Sequence, residues 1–139
     1  MILTDKEKMI LTPTYHVFDM YKVHQNGTQI PVEVTAPEYK FGHASVPSLH
    51  ASASRDGSGR LHISIVNLDP NHSAQVSMRI TGAAAGNITG RMLTAPAMNT
   101  TNTFEKPDAI QPVPFTGLEM EGGRVLLRLP SKSVVVLSS

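Results

Sequence analysis

Thr12-Pro13-Thr14-Tyr15-His16-Val17-Phe18-Asp19-Met20-Tyr21-Lys22-Val23-His24 is the stretch on which the reading of the fold turns. Thr12 can cap a helix, and Pro13 suits its first position, where the missing N–H is not needed. The spacing predicts a helix from Pro13 to His24, with Gly27 just beyond it to help stop it. The polar positions His16, Asp19 and Lys22 lie three apart on one narrow stripe. Tyr15, Val17, Phe18, Met20, Tyr21 and Val23 cover the rest. A surface helix of a globular domain carries a broad polar face, so this one wants neighbours on more than one side. The remaining sequence offers no second helix to supply them.

Upstream, Met9-Ile10-Leu11-Thr12 repeats Met1-Ile2-Leu3-Thr4 across the charged turn Asp5 to Lys8. The residues fit a hairpin; either half also fits a buried strand end. Downstream, from Ile30 onward, the signal is β. Leu49, Ala51 and Ala53 alternate with Ser and His, and Leu61, Ile63 and Ile65 alternate with His62 and Ser64. Val76, Met78 and Ile80 alternate with polar residues, Ile88 to Leu93 is a further strand, and Val125, Leu127 and Leu129 form one face. Ser133 to Leu137 is apolar throughout, as a central or doubly covered strand requires. The turns fall at Asp56-Gly57-Ser58-Gly59, Asp69-Pro70-Asn71-His72, Gly122-Gly123 and Pro130-Ser131-Lys132. Strands at this spacing predict an antiparallel sandwich of the jelly-roll kind. Thr94 to Pro114, with Pro96, Pro107, Pro112 and Pro114, is too long for an ordinary connection and is either functional or pinned against something.

Composition narrows the function. At 139 residues, 40% apolar and 17% charged, the chain can bury a core and is not of the disordered class. A net charge of +1 from scattered basic residues argues against nucleic acid and anionic membranes as partners. The absence of cysteine excludes disulfides, thiolate metal sites and cysteine nucleophiles. No apolar run reaches the roughly 18 residues of a membrane span. Met1 to Leu11, interrupted by Asp5, Lys6, Glu7 and Lys8, does not read as a signal peptide, and any targeting signal would lie upstream. Localisation is therefore open. The triplets starting at Asn26, Asn71, Asn87 and Asn99 fit the glycosylation pattern, which chance also supplies.

Chemistry-bearing motifs are sparse. His16 and His24 are eight apart, and His43, His50, His62 and His72 lack metal-ligand spacing, so all six histidines read as surface or packing residues. No nucleophile elbow or phosphate loop is present, and Gly82, Gly86 and Gly90 read as a bend. Glycoside hydrolysis needs two carboxylates. Glu119 and Glu121 would share a strand face, but beside the Gly122-Gly123 turn they read as solvated. With no tryptophan, sugar stacking falls to Tyr39 and Phe41, two apart, which also fit as plugs of a sandwich edge. Tyr15, Phe18 and Tyr21 read as core, while Phe104 and Phe115 lie in or beside loops.

Three stretches together point to a family. Met9 to Tyr21 resembles the segment that closes the catalytic domain in glycoside hydrolase family 51 α-L-arabinofuranosidases. Ser54-Arg55-Asp56 through Val66-Asn67-Leu68-Asp69 is similar to that family's C-terminal domain. So is Leu93-Thr94-Ala95 through Asn102-Thr103-Phe104, with Pro107 and Pro112-Val113-Pro114-Phe115. The resemblance covers nearly the whole chain. It implies a mainly β fold, an antiparallel jelly-roll-like sandwich preceded by one helix left over from a (β/α)₈ barrel. Met1 to Thr4 would be the tail of the eighth barrel strand, Asp5 to Lys8 its βα loop on the active-site face, and Pro13 to His24 the eighth outer helix. Residues 1–27 would then belong to the barrel and 28–139 to the sandwich.

The implied parent enzyme hydrolyses terminal α-L-arabinofuranosides of arabinan and arabinoxylan with retention, using one glutamate as acid/base after an asparagine and another as nucleophile before a tryptophan. Here no Glu follows an Asn and there is no Trp, so neither role transfers to any position. The expectation is an accessory domain without catalytic, cofactor or metal residues. Its partner would be the catalytic barrel, with self-association through an apolar patch around Val17, Met20 and Val23 when the barrel is absent. The alternative is a carbohydrate-binding module for arabinose-containing polysaccharide, using Tyr39, Phe41 or the Thr94 to Pro114 loop.

Overall fold

A computed structural model describes residues 1–82 and 87–139. The chain opens with an antiparallel hairpin, β1 (Ile2–Asp5) and β2 (Lys8–Leu11), in register Ile2 to Leu11 and Asp5 to Lys8. The turn is only Lys6-Glu7, with Lys6 at φ 53. The hairpin fitted by the residues is therefore what forms, and Asp5 and Lys8 sit in its strands instead of a loop. Thr12 closes it by donating its N–H and its hydroxyl to the Met1 carbonyl, at 3.0 and 2.8 Å.

Thr12 also caps the helix. Its Oγ1 accepts from the Tyr15 N–H, and Pro13 takes the first position. Helix α1 spans Pro13–Tyr21 and tightens into one 3₁₀ turn, Lys22–His24, so the predicted extent holds. Its stop is not the one expected. Asn26 takes the left-handed conformation (φ 57), a role Asn fills when Gly does not. Gly27 is needed for close approach: a Cβ there would lie 3.2 Å from the Arg55 carbonyl oxygen and 3.2 Å from the Ser54 Cβ.

The body is an antiparallel sandwich. Its larger sheet runs in the order β10 (Val113–Pro114), β9 (Thr89–Leu93), β13 (Ser133–Ser138), β7 (Leu61–Asn67), β6 (Leu49–Arg55), β3 (Thr28–Ile30). The facing sheet runs β11 (Leu118–Glu121), β12 (Arg124–Leu129), β8 (Ala74–Met78). A separate hairpin, β4 (Glu38–Phe41) and β5 (Ala44–Pro47), projects between β3 and β6. Pro114 is accommodated because β10 is an edge strand, where no ladder donor is required of it. Gly122 and Gly123 both have positive φ, 55 and 77, which suits the tight β11–β12 turn.

The core between the sheets is the set that the alternation marked: Leu61, Ile63 and Ile65 of β7, Val125, Leu127 and Leu129 of β12, and Val135 and Leu137 of β13. Phe115 joins them. Glycines at 90 and 117 leave room for its ring, since a Cβ at either position would lie 3.1 Å from a Phe115 side-chain carbon. Strand β13 is interior to its sheet and covered on both faces, as its unbroken apolar run required. The glycine spacing 82, 86, 90 cannot be followed, because Gly86 lies outside the described residues.

Helix α1 lies on the outer face of the larger sheet. Met20, 2% exposed, packs with Leu93, Ile110 and Val136, and Val17, Tyr21 and Val23 flank it. The expected free patch at Val17, Met20 and Val23 is thus already covered by the sandwich itself. Phe18, read as core, is instead 63% exposed. Helical geometry explains the exchange: a nine-residue helix on a sheet buries one stripe, and the stripe holding Met20 won.

The long proline-rich loop is pinned. Asn102, 2% exposed, donates its Nδ2 to the Leu11 carbonyl at 2.7 Å and to the Ile110 carbonyl at 2.9 Å. Its Oδ1 accepts the Ile110 N–H at 2.7 Å. One side chain closes the loop and ties it to the N-terminal hairpin. Ile110 is buried under Met20 in consequence.

Candidate functional site at the helix-covered face

The outer face of the larger sheet carries its side chains in rows. The strand register aligns Ser54, His62, Ser138 and Thr89 across β6, β7, β13 and β9. The next row is Ser52, Ser64, Val136 and Arg91, and the third is His50, Val66, Val134 and Leu93. The apolar end of this face takes Met20. The polar end takes His24, at the close of the 3₁₀ turn. His24 Nδ1 meets Ser54 Oγ at 2.7 Å and Nε2 meets Ser64 Oγ at 2.5 Å. His62 is buried beside it, with ring centroids 6.3 Å apart. Its Nδ1 meets Ser138 Oγ at 2.8 Å and its Nε2 meets Asp56 Oδ2 at 3.0 Å.

The electrostatics follow from this seam. Burial, and then the neighbouring His62, hold His24 below its ordinary 6.5 and so favour its neutral form. Burial raises the Tyr21 phenol, with a hydrogen bond to Ser64 opposing. Asp56 is the strongest carboxylate. Hydrogen bonds from Ser58, His62 and the Arg60 and Ser58 backbone hold it far below its usual range. Among the described residues no buried side-chain nitrogen or oxygen lacks a partner, which a polar seam under a helix requires.

Two pockets border the helix. One, about 320 Å³, lies between α1 and β9–β13, with Met20, Val23 and Val136 as floor and Asp19, Arg91 and Ser138 among its polar lining. Lys22, then Arg91, keep Asp19 ionised. The other, about 250 Å³, lies between Pro13, the Ala95 to Ile110 loop and Val134.

The residues singled out from sequence scatter. Glu119 and Glu121 are exposed on β11, opposite Leu126 and Arg124, with no second carboxylate facing them across the ladder. Tyr39 and Phe41 do share a face of the β4–β5 hairpin, where Tyr39 pairs with Val46, and Phe41 is 77% exposed. His43 and His50 are exposed, and His72 bonds Asp69. Of the histidines, His24 and His62 come together, with Tyr21 against His24 at 5.6 Å between ring centroids, and the two histidines meet serines of β6, β7 and β13. Sequence offered no signal for that meeting beyond His62 and Ser64 standing as polar residues on a strand whose other face is core.

The model of the α-L-arabinofuranosidase C-terminal domain matches residues 1–133. The intracellular exo-α-L-arabinofuranosidase of Bacteroides ovatus is 38% identical over 138 residues, covering 99% of this chain and 27% of that protein. The structure of the GH51 arabinofuranosidase from Xanthomonas axonopodis pv. citri superposes with a TM-score of 0.95 at 43% identity, covering 99% of this chain and 28% of that one. The thermostable GH51 α-L-arabinofuranosidase from Thermotoga petrophila gives 0.83 at 25% identity, covering 99% and 31%. The chain therefore spans less than a third of the length of these relatives.

Proposed function

The chain belongs to the α-L-arabinofuranosidase C-terminal domain family, and from that premise we propose that it serves as the accessory sandwich of a retaining hydrolase of terminal α-L-arabinofuranosides in arabinan and arabinoxylan. In this reading the chemistry resides in a catalytic barrel and the chain itself is structural. Residues 1–27 complete the barrel, and 28–139 form the sandwich, which accords with β3 beginning at Thr28.

The observation that carries the reading is an uncovered apolar surface next to α1. Ile2, Leu3 and Met9 of the β1–β2 hairpin and Phe18 of the helix are all exposed. A two-stranded ribbon is marginal by itself, and exposed apolar side chains on both of its faces, Ile2 and Met9 on one and Leu3 on the other, call for a partner. A barrel continuous with β1 would supply it. Without the barrel, the same surface drives self-association, through Phe18 and the hairpin instead of Met20.

Sedimentation and a p-nitrophenyl α-L-arabinofuranoside assay test this together. The chain alone should self-associate, become monomeric in the Leu3→Ser/Phe18→Ser variant, and release no p-nitrophenol. A clean monomer with a protected helix counts against the docking surface. Release that disappears on replacing Glu119 or Glu121 would overturn the non-catalytic reading. The second reading, a carbohydrate-binding module, is favoured by one feature, the face shared by half-buried Tyr39 and exposed Phe41. Titration with arabinoxylan, followed by tyrosine fluorescence, separates it from the first.

A further inference from the structure

We propose that Ser138 is an activated nucleophile: Asp56, His62 and Ser138 form a hydrogen-bonded relay that opens on the pocket beside α1 and takes the acyl group of a small ester. The proposal is independent of the accessory-domain reading and concerns different residues. Three observations carry it. The first is order and geometry. Asp56 Oδ2 lies 3.0 Å from His62 Nε2, and His62 Nδ1 lies 2.8 Å from Ser138 Oγ. These are the nucleophile–base and base–orienter contacts that nucleophilic catalysis requires.

The second is the tautomer. Asp56 is itself fixed, since its Oδ1 accepts from the N–H groups of Ser58 and Arg60 at 2.9 and 3.0 Å. Its carboxylate, held far below the usual range by the Ser58 hydroxyl first and then by His62 and these backbone bonds, accepts only from an N–H at Nε2. Neutral His62 then carries its lone pair on Nδ1, and the Ser138 hydroxyl donates to it. The base faces the nucleophile by construction.

The third is access. His62 is buried, but Ser138 lines the pocket of about 320 Å³. Arg91 shares that wall, paired with Asp19 at 3.4 Å, and its guanidinium is the donor the wall offers to an oxyanion. The volume suits a short acyl ester better than a polysaccharide chain. In the step, Ser138 Oγ bonds the carbonyl carbon while its proton passes to His62 Nδ1. The bond to the alcohol oxygen breaks, and the alcohol leaves with that electron pair and the proton. Water then repeats the attack with His62 as base, and the acid is released. Only the ester and water are consumed.

The test uses the full chain with methanesulfonyl fluoride as trap and p-nitrophenyl acetate as substrate. The expected result is one sulfonyl group on Ser138 by peptide mass spectrometry, together with acetate release above buffer. The label should vanish in Ser138→Ala, and labelling and acetate release should both fall about a hundredfold in His62→Gln. Labelling confined to lysines or tyrosines overturns the proposal, and so does Ser138 labelling undiminished in His62→Gln. Should His62→Gln not fold, the pH profile of the unaltered chain decides. The groups facing His62 are Asp56, with Arg60 upon it, His24 from the 3₁₀ turn, and the neutral Ser54 and Ser138 on the flanking strands. Labelling must rise with pH as base catalysis requires, and a flat profile from acid to mild base overturns the relay.

Discussion

Replacing Asn102 should detach the proline-rich loop from the rest of the domain. Its amide makes three hydrogen bonds at 2.7 to 2.9 Å, two buried ones to both backbone groups of Ile110 and a partly buried one to the Leu11 carbonyl. Each bond contributes about 1 kcal/mol net, and orphaned buried partners cost more than the bond was worth. Asn102→Ala should therefore cost about 3 kcal/mol, or on the order of 10 °C in melting temperature for a domain of this size. Circular dichroism melts supply the number. Asn102→Asp sharpens the test. It keeps the acceptor for the Ile110 N–H but turns the donor of two bonds into an acceptor facing two carbonyl oxygens. At pH 7 it should be less stable than Asn102→Ala. Its carboxyl should titrate above the usual range in the fold, so the folded state holds its proton over a window where the unfolded chain has lost it. The gap to Asn102→Ala must then narrow as pH falls through that window. An alanine variant within about 0.5 kcal/mol of the parent, or an aspartate variant as stable as alanine at pH 7, would refute the pinning role.

Two further outcomes follow from the helix-covered face. Met20→Ala removes the side chain that fills the contact between α1 and β9–β13 and should cost about 2–5 kcal/mol; hydrogen exchange should show the amides of Val17 to Tyr21 losing protection before those of β7 and β12. The fold holds His24 below its unfolded pKa of about 6.5, so the unfolded chain takes up the proton first and stability is lost as pH falls below that value. Melts between pH 5 and 8 should show this slope in the parent and a flatter one in His24→Gln, since Asp56 and Asp69, held low, act only in stronger acid.

Much of the architecture was legible because its causes are local. The Thr12-Pro13 start, the alternation of β7 and β12, the two-glycine turn and the doubly apolar β13 each depend on residues a few positions apart. The family was legible too, from three stretches spread along the chain. Misreadings occurred where a local pattern had two fillings. Gly27 was the obvious helix stop, yet Asn26 took the left-handed position and Gly27 served a close approach to β6. Phe18 and Met20 were equally good core residues, and only the docking angle of α1 separated them.

Sequence by itself determined which side chains must leave water and where the chain turns. Tertiary structure alone decided what covers each apolar stripe and which polar groups meet beneath it. The seam that joins His24 to Ser54 and Ser64, and the bond from Asn102 to Leu11, span 30 to 91 positions. Periodicity reports a residue's face, but the partner on that face is set by strand order and register, and these are fixed only when the whole sheet closes. The helix first met as too apolar to stand alone shows the division: its composition demanded cover, and the fold supplied it with Leu93, Ile110 and Val136 while leaving Phe18 open.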